Sequence, residues 1–225
     1  PMGLDDMGDE AIEIEIVDPE SVKIGIGGIE IEIDPDAEDF FTEHFDYLTE
    51  EQKRIYFTLL HHIENETGEL YNMDAPGGSG KTFLSNIMLS RVRMNEKMPR
   101  WFAVPIPCTA VSSLKLKLNS NEARIIKESC MIMVDKVSMM DYKLLDLLDS
   151  FLQELMQTSS YMGGKLVILM HDFRQILPVV PGGNRAAIVS AAVINSDLWK
   201  HFKQLNLTQN MRVEKMLQSA ETEEK

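Results

Sequence analysis

Residues Ala75 to Thr82 carry the strongest chemical signal in the sequence, a glycine-rich run that ends in Lys-Thr. The run fits a phosphate-binding loop (P-loop) with alanine in the place of the first glycine. Glycines let backbone N–H groups curl around a phosphate, and the helix that follows points its positive end at the anion. Lys81 would reach the β- and γ-phosphates, and Thr82 would offer its hydroxyl to Mg²⁺. The phosphate cradle would consist of Gly77, Gly78, Ser79 and Gly80. We therefore predict a nucleotide site, with a structural glycine turn as the alternative.

A P-loop needs a metal-side carboxylate at the tip of a neighbouring strand. Asp135 follows the apolar run Met-Ile-Met-Val and is the natural candidate to hold Mg²⁺ together with Thr82. The alternative is that Asp135 caps a helix that begins near Val137.

The elements that must position these residues predict an α/β fold. Thr49 and Gln52 form a capping box at the start of one helix. A second helix runs from about Lys81 to Met94, and an amphipathic helix covers the region of Leu144 to Leu155. Four short runs are typical of strands: Leu70–Asp74, Trp101–Ile106, Cys130–Asp135 and Lys165–Met170. Strands that alternate with helices predict a parallel sheet covered on both faces.

Residues 1–40 differ in composition from the rest of the chain. They hold 14 of the 36 acidic residues and one of the 22 basic residues, so the net charge of −14 mainly describes this segment. Ala11–Val17 and Ile29–Ile33 alternate apolar and acidic residues around Gly25–Gly28, which indicates a β-hairpin. The alternatives are a solvated acidic extension and an acidic arm that docks on a basic surface. We expect an extension over 1–40, a nucleotide-binding domain over 41–213 and a polar tail over 214–225.

Three features of the sequence bear on location. Cys108 and Cys130 do not make a disulfide framework, which favours an intracellular protein. No apolar run approaches the roughly 18 residues that a membrane helix needs. The first ten residues lack a secretory apolar segment. We expect an intracellular protein with no membrane partner.

Five motifs resemble, in this order, the petite-integration-frequency (PIF) family of superfamily-one DNA helicases, including its Helitron-type members. They are Leu48–Gln52, Ala75–Leu84, Asp135–Met140, Asp172–Val179 and Leu205–Arg212. The resemblance runs from about Asp39 to Arg212 and corresponds to the first RecA-like domain. It implies a three-layer RecA-like P-loop NTPase fold with a parallel sheet, with ATP and Mg²⁺ as ligands. It also implies an ATP-dependent helicase motor that acts on single-stranded DNA or DNA junctions, in DNA repair, recombination and telomere maintenance, and in the nucleus if the source is eukaryotic.

The resemblance also implies roles for single residues. Gln52 would read the adenine edge, and Gln175 would sense the γ-phosphate and couple it to DNA. Arg212 would stabilise charge in the transition state, and Lys81 and Asp135 would complete the catalytic set. Each of three residues has a plain alternative: Gln52 only closes the capping box, Gln175 is a polar loop residue, and Arg212 is a surface cation.

DNA contacts are expected in two places. By resemblance, Cys108–Val111 occupies the position of a single-strand contact. The residues Arg91, Arg93, Lys97, Arg100, Trp101 and Phe102 mix positive charge with aromatic rings, which suits backbone tracking and base stacking. The alternative for this second set is a solvated helix end followed by a core strand.

Three departures from the family pattern limit the expected activity. The family has Asp-Glu at its metal site, whereas this chain has Asp135-Lys136. A charged lysine cannot accept a proton from the attacking water, so hydrolysis should lose much of the roughly 10²–10⁴-fold that a positioned base supplies. The segment between the second and third strands is short, and Met170-His171 replaces the family's Gly-Gly, with His171 expected to be a packing residue. The chain ends soon after Arg212, so we expect a fragment without the second motor lobe. A non-catalytic nucleotide-binding or DNA-binding remnant is the alternative function.

Overall fold

The computed structural model describes residues 22–26, 29–33, 37–93, 105–107, 118, 121–174, 178–180 and 182–213. These residues fall in two compact units that divide between Pro35 and Asp36. Within the described ranges, no helix is long and apolar enough to cross a membrane.

The first unit contains an antiparallel hairpin of β1 (Val22–Ile26) and β2 (Ile29–Ile33). The predicted partner of β2, Ala11–Val17, lies outside the described residues. The strand that pairs with β2 is instead β1, whose last two residues, Gly25 and Ile26, were predicted to belong to the connection. The register explains this pairing, because apolar residues meet apolar residues: Val22 with Ile33, Ile24 with Ile31 and Ile26 with Ile29. In the same register, Lys23 is the Cα partner of Glu32 and Gly25 that of Glu30.

The second unit is built on a five-stranded parallel sheet in the order β4-β5-β6-β3-β7. The strands are β3 (Leu70–Asp74), β4 (Pro105–Pro107), β5 (Met131–Asp135), β6 (Leu166–His171) and β7 (Lys203–Asn206). The four predicted strands are present, although Trp101 to Val104 lie outside the described residues. The sequence analysis missed β7, which is an edge strand with mostly exposed residues and therefore lacks an apolar pattern. Because the strands are parallel, their carboxyl ends meet at one edge of the sheet.

Six α-helices accompany the sheet among the described residues. They are α1 (Ala37–His44), α2 (Glu50–Glu64), α3 (Lys81–Arg93), α4 (Asn121–Glu128), α5 (Tyr142–Met156) and α6 (Arg185–Ala191). The predicted capping box is present: the Gln52 N–H donates to Thr49 Oγ1 at 3.2 Å, and the Thr49 N–H donates to Gln52 Oε1 at 3.0 Å. The three helices that the sequence did not predict have seven or eight residues each, which is too short for a clear helical period.

Both faces of the central strands are buried. One set of alternate residues packs in the same core as α2 and α3, and it includes Tyr71, Met73, Met131, Met133, Leu166, Ile168 and Met170. The intervening residues of β5 and β6 are fully buried as well: Ile132, Val134, Val167 and Leu169. A parallel sheet buried on both faces confirms the predicted three-layer α/β architecture.

The buried carboxylate of Asp149 connects α5 to the turn that precedes β6. One of its oxygens accepts the N–H of Met162, and the other accepts the side-chain amide of Gln153 at 2.8 Å. Asp149→Ala would leave the buried N–H of Met162 without its acceptor, so the free energy of unfolding should fall by about 1–3 kcal/mol. Denaturant unfolding followed by circular dichroism measures this change.

Asp197→Ala is the matched control, because Asp197 is fully exposed and pairs on the surface with Lys200. We expect the control to leave the free energy of unfolding nearly unchanged. Equal losses in the two variants would contradict the role given to Asp149.

Candidate nucleotide-binding site

The P-loop, residues 75–82, joins β3 to α3 at the carboxyl edge of the sheet. Gly78 and Gly80 have φ angles of +87° and +82°, a region that residues with a Cβ rarely adopt. The Ser79 N–H donates to the Pro76 carbonyl at 3.1 Å, and the Leu84 N–H donates to the Gly80 carbonyl at 2.9 Å. Because α3 begins directly after Gly80, its unpaired N–H groups and its positive end lie at the loop.

Neighbouring side chains lie so close to Gly78 and Gly80 that a Cβ at either position would force them to shift. A Cβ at Gly80 would lie 2.4 Å from Nε2 of Gln52. A Cβ at Gly78 would lie 2.8 Å from Oδ1 of Asn210 and 3.1 Å from Cδ of Arg212. The positive φ angles therefore favour glycine at these two positions, and a Cβ there would also force the side chains of Gln52 and Asn210 to shift.

Gln52 is 1% exposed and binds the protein at both ends of its amide group. Its Oε1 accepts the N–H of Thr49, and its Nε2 donates to the Ser79 carbonyl at 3.0 Å. The capping-box alternative is thus present, and the same side chain also holds α2 against the P-loop. Contact between Gln52 and adenine stays a prediction. Nε2 has a second N–H, besides the one bonded to Ser79, that could make this contact.

A cavity of about 930 Å³ lies against the P-loop. It brings together the predicted residues Gln52, Gly77, Gly78, Gly80, Lys81, Thr82, Asp135 and Arg212. This volume lies in the range of sites that take a nucleotide-sized ligand. Ser79 is buried, and its hydroxyl has no hydrogen-bond partner within the described part of the chain. Gln175 lies outside the described residues, so its predicted role is not tested.

Thr82 and Asp135 line this cavity together and fit Mg²⁺ chemically. Hydroxyl and carboxylate oxygens are hard ligands, and Mg²⁺ usually takes few protein ligands while keeping water and phosphate oxygens. The described ranges contain no group of three or more His, Cys, Asp or Glu residues that could hold a metal. Asp135 Oδ1 accepts the N–H of Lys136 at 2.8 Å. The short turn Val137–Met139 has no side-chain cap, so Asp135 does not serve as the helix cap that was its alternative.

Lys136 also lines the cavity, at the position where the family pattern expects glutamate. Its φ of +59° and ψ of +35° lie in the left-handed region. A residue with a Cβ is destabilised there by roughly 1–2 kcal/mol. The surrounding fold therefore holds this lysine at the cavity in a conformation that it would not adopt by itself.

Asp172 is the residue at this site that sequence reasoning quoted in a motif without assigning a role. It follows β6 directly and is 5% exposed. Its Oδ2 accepts the N–H of Gly77 at 2.9 Å, and its Oδ1 accepts the N–H of Arg174 at 3.1 Å. An acidic residue directly after a buried strand was the signal that could have identified it. Lys81 donates its ammonium to the Ala75 carbonyl, so its charge lies at the first residue of the loop.

The segment after β7 also binds the P-loop. Asn210 Nδ2 donates to the Gly77 carbonyl at 3.2 Å, and the Met211 N–H donates to the Gly78 carbonyl at 3.0 Å. The Arg212 N–H donates to Oδ1 of Asn210 at 3.1 Å. Arg212 is exposed, as its surface-cation alternative requires, yet its side chain lies over Gly78 and lines the cavity.

Glu51, next to Gln52 on α2, holds the beginning of the same segment. Its carboxylate accepts the hydroxyl of Thr208, the N–H of Thr208 at 2.8 Å and the N–H of Gln209 at 3.4 Å. The hydrogen bonds from the Thr208 hydroxyl and N–H stabilise the charged form and lower the pKa of Glu51 below its ordinary value of 4.5.

A carboxylate with a lowered pKa in the folded state stabilises the protein above its unfolded-state pKa, and this contribution is lost as the pH falls through the folded-state pKa. Glu51→Gln should therefore remove part of the loss of stability below pH 4.5. It should also speed hydrogen exchange at the Thr208 and Gln209 amides, because a neutral acceptor binds them more weakly. Glu50→Gln is the control, since Glu50 is exposed and pairs with Lys53. Exchange that is equally fast in both variants would contradict this role for Glu51.

A family model and several solved structures resemble this chain. The model of the family described as PIF1-like helicase matches residues 98–225. The Pif1 helicase from Candida albicans has a similar structure, with a TM-score of 0.58, 20% identity, and coverage of 73% of this chain and 40% of that chain. Bacteroides sp Pif1 in complex with ADP-AlF4 has a TM-score of 0.53 and 21% identity, and covers 73% of this chain and 43% of that chain. Bacteroides Pif1 bound to single-stranded DNA has a TM-score of 0.54 and 20% identity, and the match covers 73% of this chain and 42% of that chain.

These matches cover only part of the related proteins, because the chain spans less than half the length of each solved relative. No curated protein sequence matches the chain significantly. The structural matches confirm the RecA-like fold, and the family model confirms the resemblance over the second part of the chain, beyond the P-loop. The family model matches more than half of the residues of this chain, and the chain therefore belongs to the PIF1-like helicase family.

Proposed function

We propose that this chain binds ATP with Mg²⁺ in the P-loop cavity and forms the first motor domain of an ATP-dependent DNA helicase. The observation that carries the proposal is the single cavity that unites the P-loop with Gln52, Asp135 and Arg212. Family membership supports the helicase class. The complex of Bacteroides sp Pif1 with ADP-AlF4 supports an adenine nucleotide as the ligand.

The cavity residues divide the work of holding ATP. The loop N–H groups and the positive end of α3 bind phosphate oxygens. Lys81 adds a positive charge at the first residue of the loop, and Arg212, whose side-chain stem passes over Gly78, adds a second charge to the lining of the cavity. Thr82 and Asp135 would hold Mg²⁺, which when bound neutralises charge on the β- and γ-phosphates. Stabilised charge at these positions favours transfer of the γ-phosphoryl group to water.

DNA is the proposed macromolecular partner, as single strands or junctions. Relatives of this fold include a Bacteroides Pif1 bound to single-stranded DNA and two Pif1 helicases that unwind forked double-stranded DNA. Both DNA contacts expected from the sequence, Cys108–Val111 and most of the basic aromatic run, lie outside the described residues. Within that run, the described Arg91 side chain pairs with Glu64 at 3.7 Å. We also propose DNA repair, recombination and telomere maintenance as its cellular processes, inside the cell and in the nucleus of a eukaryote.

A second candidate function is a nucleotide-binding or DNA-binding module that does not turn over. Lys136 favours this alternative, because it places a charged ammonium at the cavity where the family uses a base. Mg²⁺-dependent binding of a fluorescent ATP analogue, followed by single-turnover hydrolysis with and without single-stranded DNA, separates the two functions. Hydrolysis stimulated by DNA supports the motor, and binding without hydrolysis supports the module.

Lys81→Met should weaken binding of the fluorescent ATP analogue by about 10- to 100-fold, because it removes one charge-assisted contact to phosphate. Equilibrium fluorescence titration with Mg²⁺ measures this change. Lys143→Met is the matched control, since Lys143 lies outside the cavity over the ring of Tyr142. Unchanged affinity in Lys81→Met would contradict the phosphate role of Lys81.

Lys136→Glu should raise the single-turnover rate of hydrolysis by about 10²-fold or more, because it restores a carboxylate that accepts a proton. Lys136→Gln is the control, since it removes the positive charge without adding a base and keeps a Cβ at the same left-handed position. Chemical quench with radiolabelled ATP gives both rates. A rise of equal size in the two variants would show that charge, rather than the missing base, limits turnover.

A further inference from the structure

One part of the cavity lining is aromatic and has no role in the binding of phosphate. The side chains of His44, Tyr47 and Phe83 line the same cavity as the P-loop, and we call them the aromatic wall. Phe83 follows Thr82 directly, in the first turn of α3. The aromatic wall therefore adjoins the residues that are predicted to hold phosphate and Mg²⁺.

Contacts between rings hold the aromatic wall together. The His44 ring stacks on Phe40, with centroids 4.3 Å apart and ring planes inclined by 17°. Its Nδ1 donates to the Phe40 carbonyl at 2.9 Å, since a carbonyl oxygen only accepts. Tyr47 and Phe83 both meet the His44 ring edge to face, with centroids 6.1 Å and 6.2 Å away. His44 is thus the central ring of the wall.

The backbone on both sides of Tyr47 is anchored in the core. Phe45 packs edge to face on the buried ring of Tyr56, with centroids 5.1 Å apart. Leu48 is buried, and its N–H donates to the Phe45 carbonyl at 3.1 Å. Tyr47 therefore occupies a short turn that is fixed at both ends. A platform that is fixed before a ligand arrives loses little conformational freedom on binding.

Tyr47 presents most of its side chain to solvent, with 70% exposed. A single exposed tyrosine is ordinary on a protein surface. Among the large hydrophobic side chains that are exposed in the described part of the chain, however, Tyr47 is the one that lines the P-loop cavity. Its ring is accessible to a flat ligand group at this place, and aromatic rings stack favourably on such groups.

The two parts of the cavity lining match the two ends of a nucleotide. The P-loop, Lys81 and Thr82 suit a charged polyphosphate, whereas the aromatic wall suits a flat nucleobase. A base of a DNA strand offers the same π-surface as the base of a nucleotide. Only the nucleotide also carries the polyphosphate for which the adjoining loop is built, and its base is the better occupant.

We propose that the aromatic wall is the nucleobase site of this chain, and that the base of the bound nucleotide stacks on the ring of Tyr47. This inference rests on the function proposed above. Stacking is tolerant of base identity because every base has a π-face. The contact therefore adds affinity without selecting adenine, and it makes α1 and the turn Phe45–Tyr47 part of the nucleotide site.

The test uses the full chain in calorimetric titrations with ATP and with inorganic tripolyphosphate, both with Mg²⁺. Tyr47→Ala should weaken the binding of ATP by about 5- to 100-fold, the range for the loss of one stacked base. It should leave the binding of tripolyphosphate unchanged, because this ligand has no base. Tyr47→Phe keeps the ring and should bind ATP within about twofold of the unaltered chain.

Tyr161→Ala is the matched control, since Tyr161 is also an exposed tyrosine and stacks on His201 outside the cavity. It should bind both ligands as the unaltered chain does. Tyr47→Ala should also keep the melting temperature of the unaltered chain, because an exposed ring contributes little to the core. These two comparisons separate a contact with the base from a general effect of the substitution.

A spectroscopic signal reports the stacking itself. Tyr47→Trp places an indole at the platform, and its emission is the difference from the unaltered chain, which holds Trp101 and Trp199. ATP should quench this emission, because a stacked base contacts the indole directly. Tripolyphosphate should leave it unchanged. Quenching of equal size by both ligands would overturn the proposal, since it would show a response to phosphate alone.

The remaining outcomes distinguish failure of this inference from failure of the proposed function. Unchanged affinity for ATP in Tyr47→Ala overturns the nucleobase site and leaves nucleotide binding intact. An equal loss of affinity for ATP and tripolyphosphate shows a structural role for Tyr47 and also overturns it. Weaker binding of labelled single-stranded DNA, with the affinity for ATP retained, assigns the aromatic wall to DNA instead. Absence of ATP binding in the unaltered chain overturns both proposals.

Discussion

Close packing of protein groups on the P-loop is the interaction on which the rest of the site depends. Gln52 approaches Gly80, and Asn210 and Arg212 approach Gly78, so closely that a Cβ at either glycine would force these side chains to shift. Asp172 accepts the N–H of Gly77 from a third direction. Gly78 and Gly80 have positive φ angles, which cost glycine little but disfavour a residue with a Cβ. Segments far apart in the sequence thus converge on a few backbone atoms.

This convergence makes α2 more than a covering helix. Glu51 binds Thr208 and Gln209 at the start of the segment after β7, while its neighbour Gln52 binds the Ser79 carbonyl. A single turn of helix therefore sets the distance between the P-loop and the segment that carries Arg212. The side chain of Arg212 is exposed, and its backbone N–H donates to Asn210. The contacts of α2 and Asn210 therefore help to hold Arg212 at the cavity.

The sequence predicted the parts of the molecule whose chemistry is local. The P-loop, the capping box of α2 and the buried strands have fixed spacings or apolar runs, and the structure contains them. Edge strand β7 was missed because its residues are mostly exposed, and three helices were missed because they have seven or eight residues. Contacts of Asp172 and Asn210 with the loop depend on tertiary approach, which no local pattern encodes. His171 was expected to be a packing residue, and its packing on Phe173 and Trp199 agrees with that expectation, but its place at the cavity does not follow from composition.

The exchange of glutamate for lysine at position 136 changes the electrostatics of the cavity as well as its chemistry. Lys81, Lys136 and Arg212 now face the same space as Asp135 and Asp172, a balance that favours binding of a polyphosphate. A lysine at position 136 adds to the attraction for a polyphosphate, whereas a carboxylate there would weaken that attraction and supply a proton acceptor, so binding and turnover make opposite demands on this position.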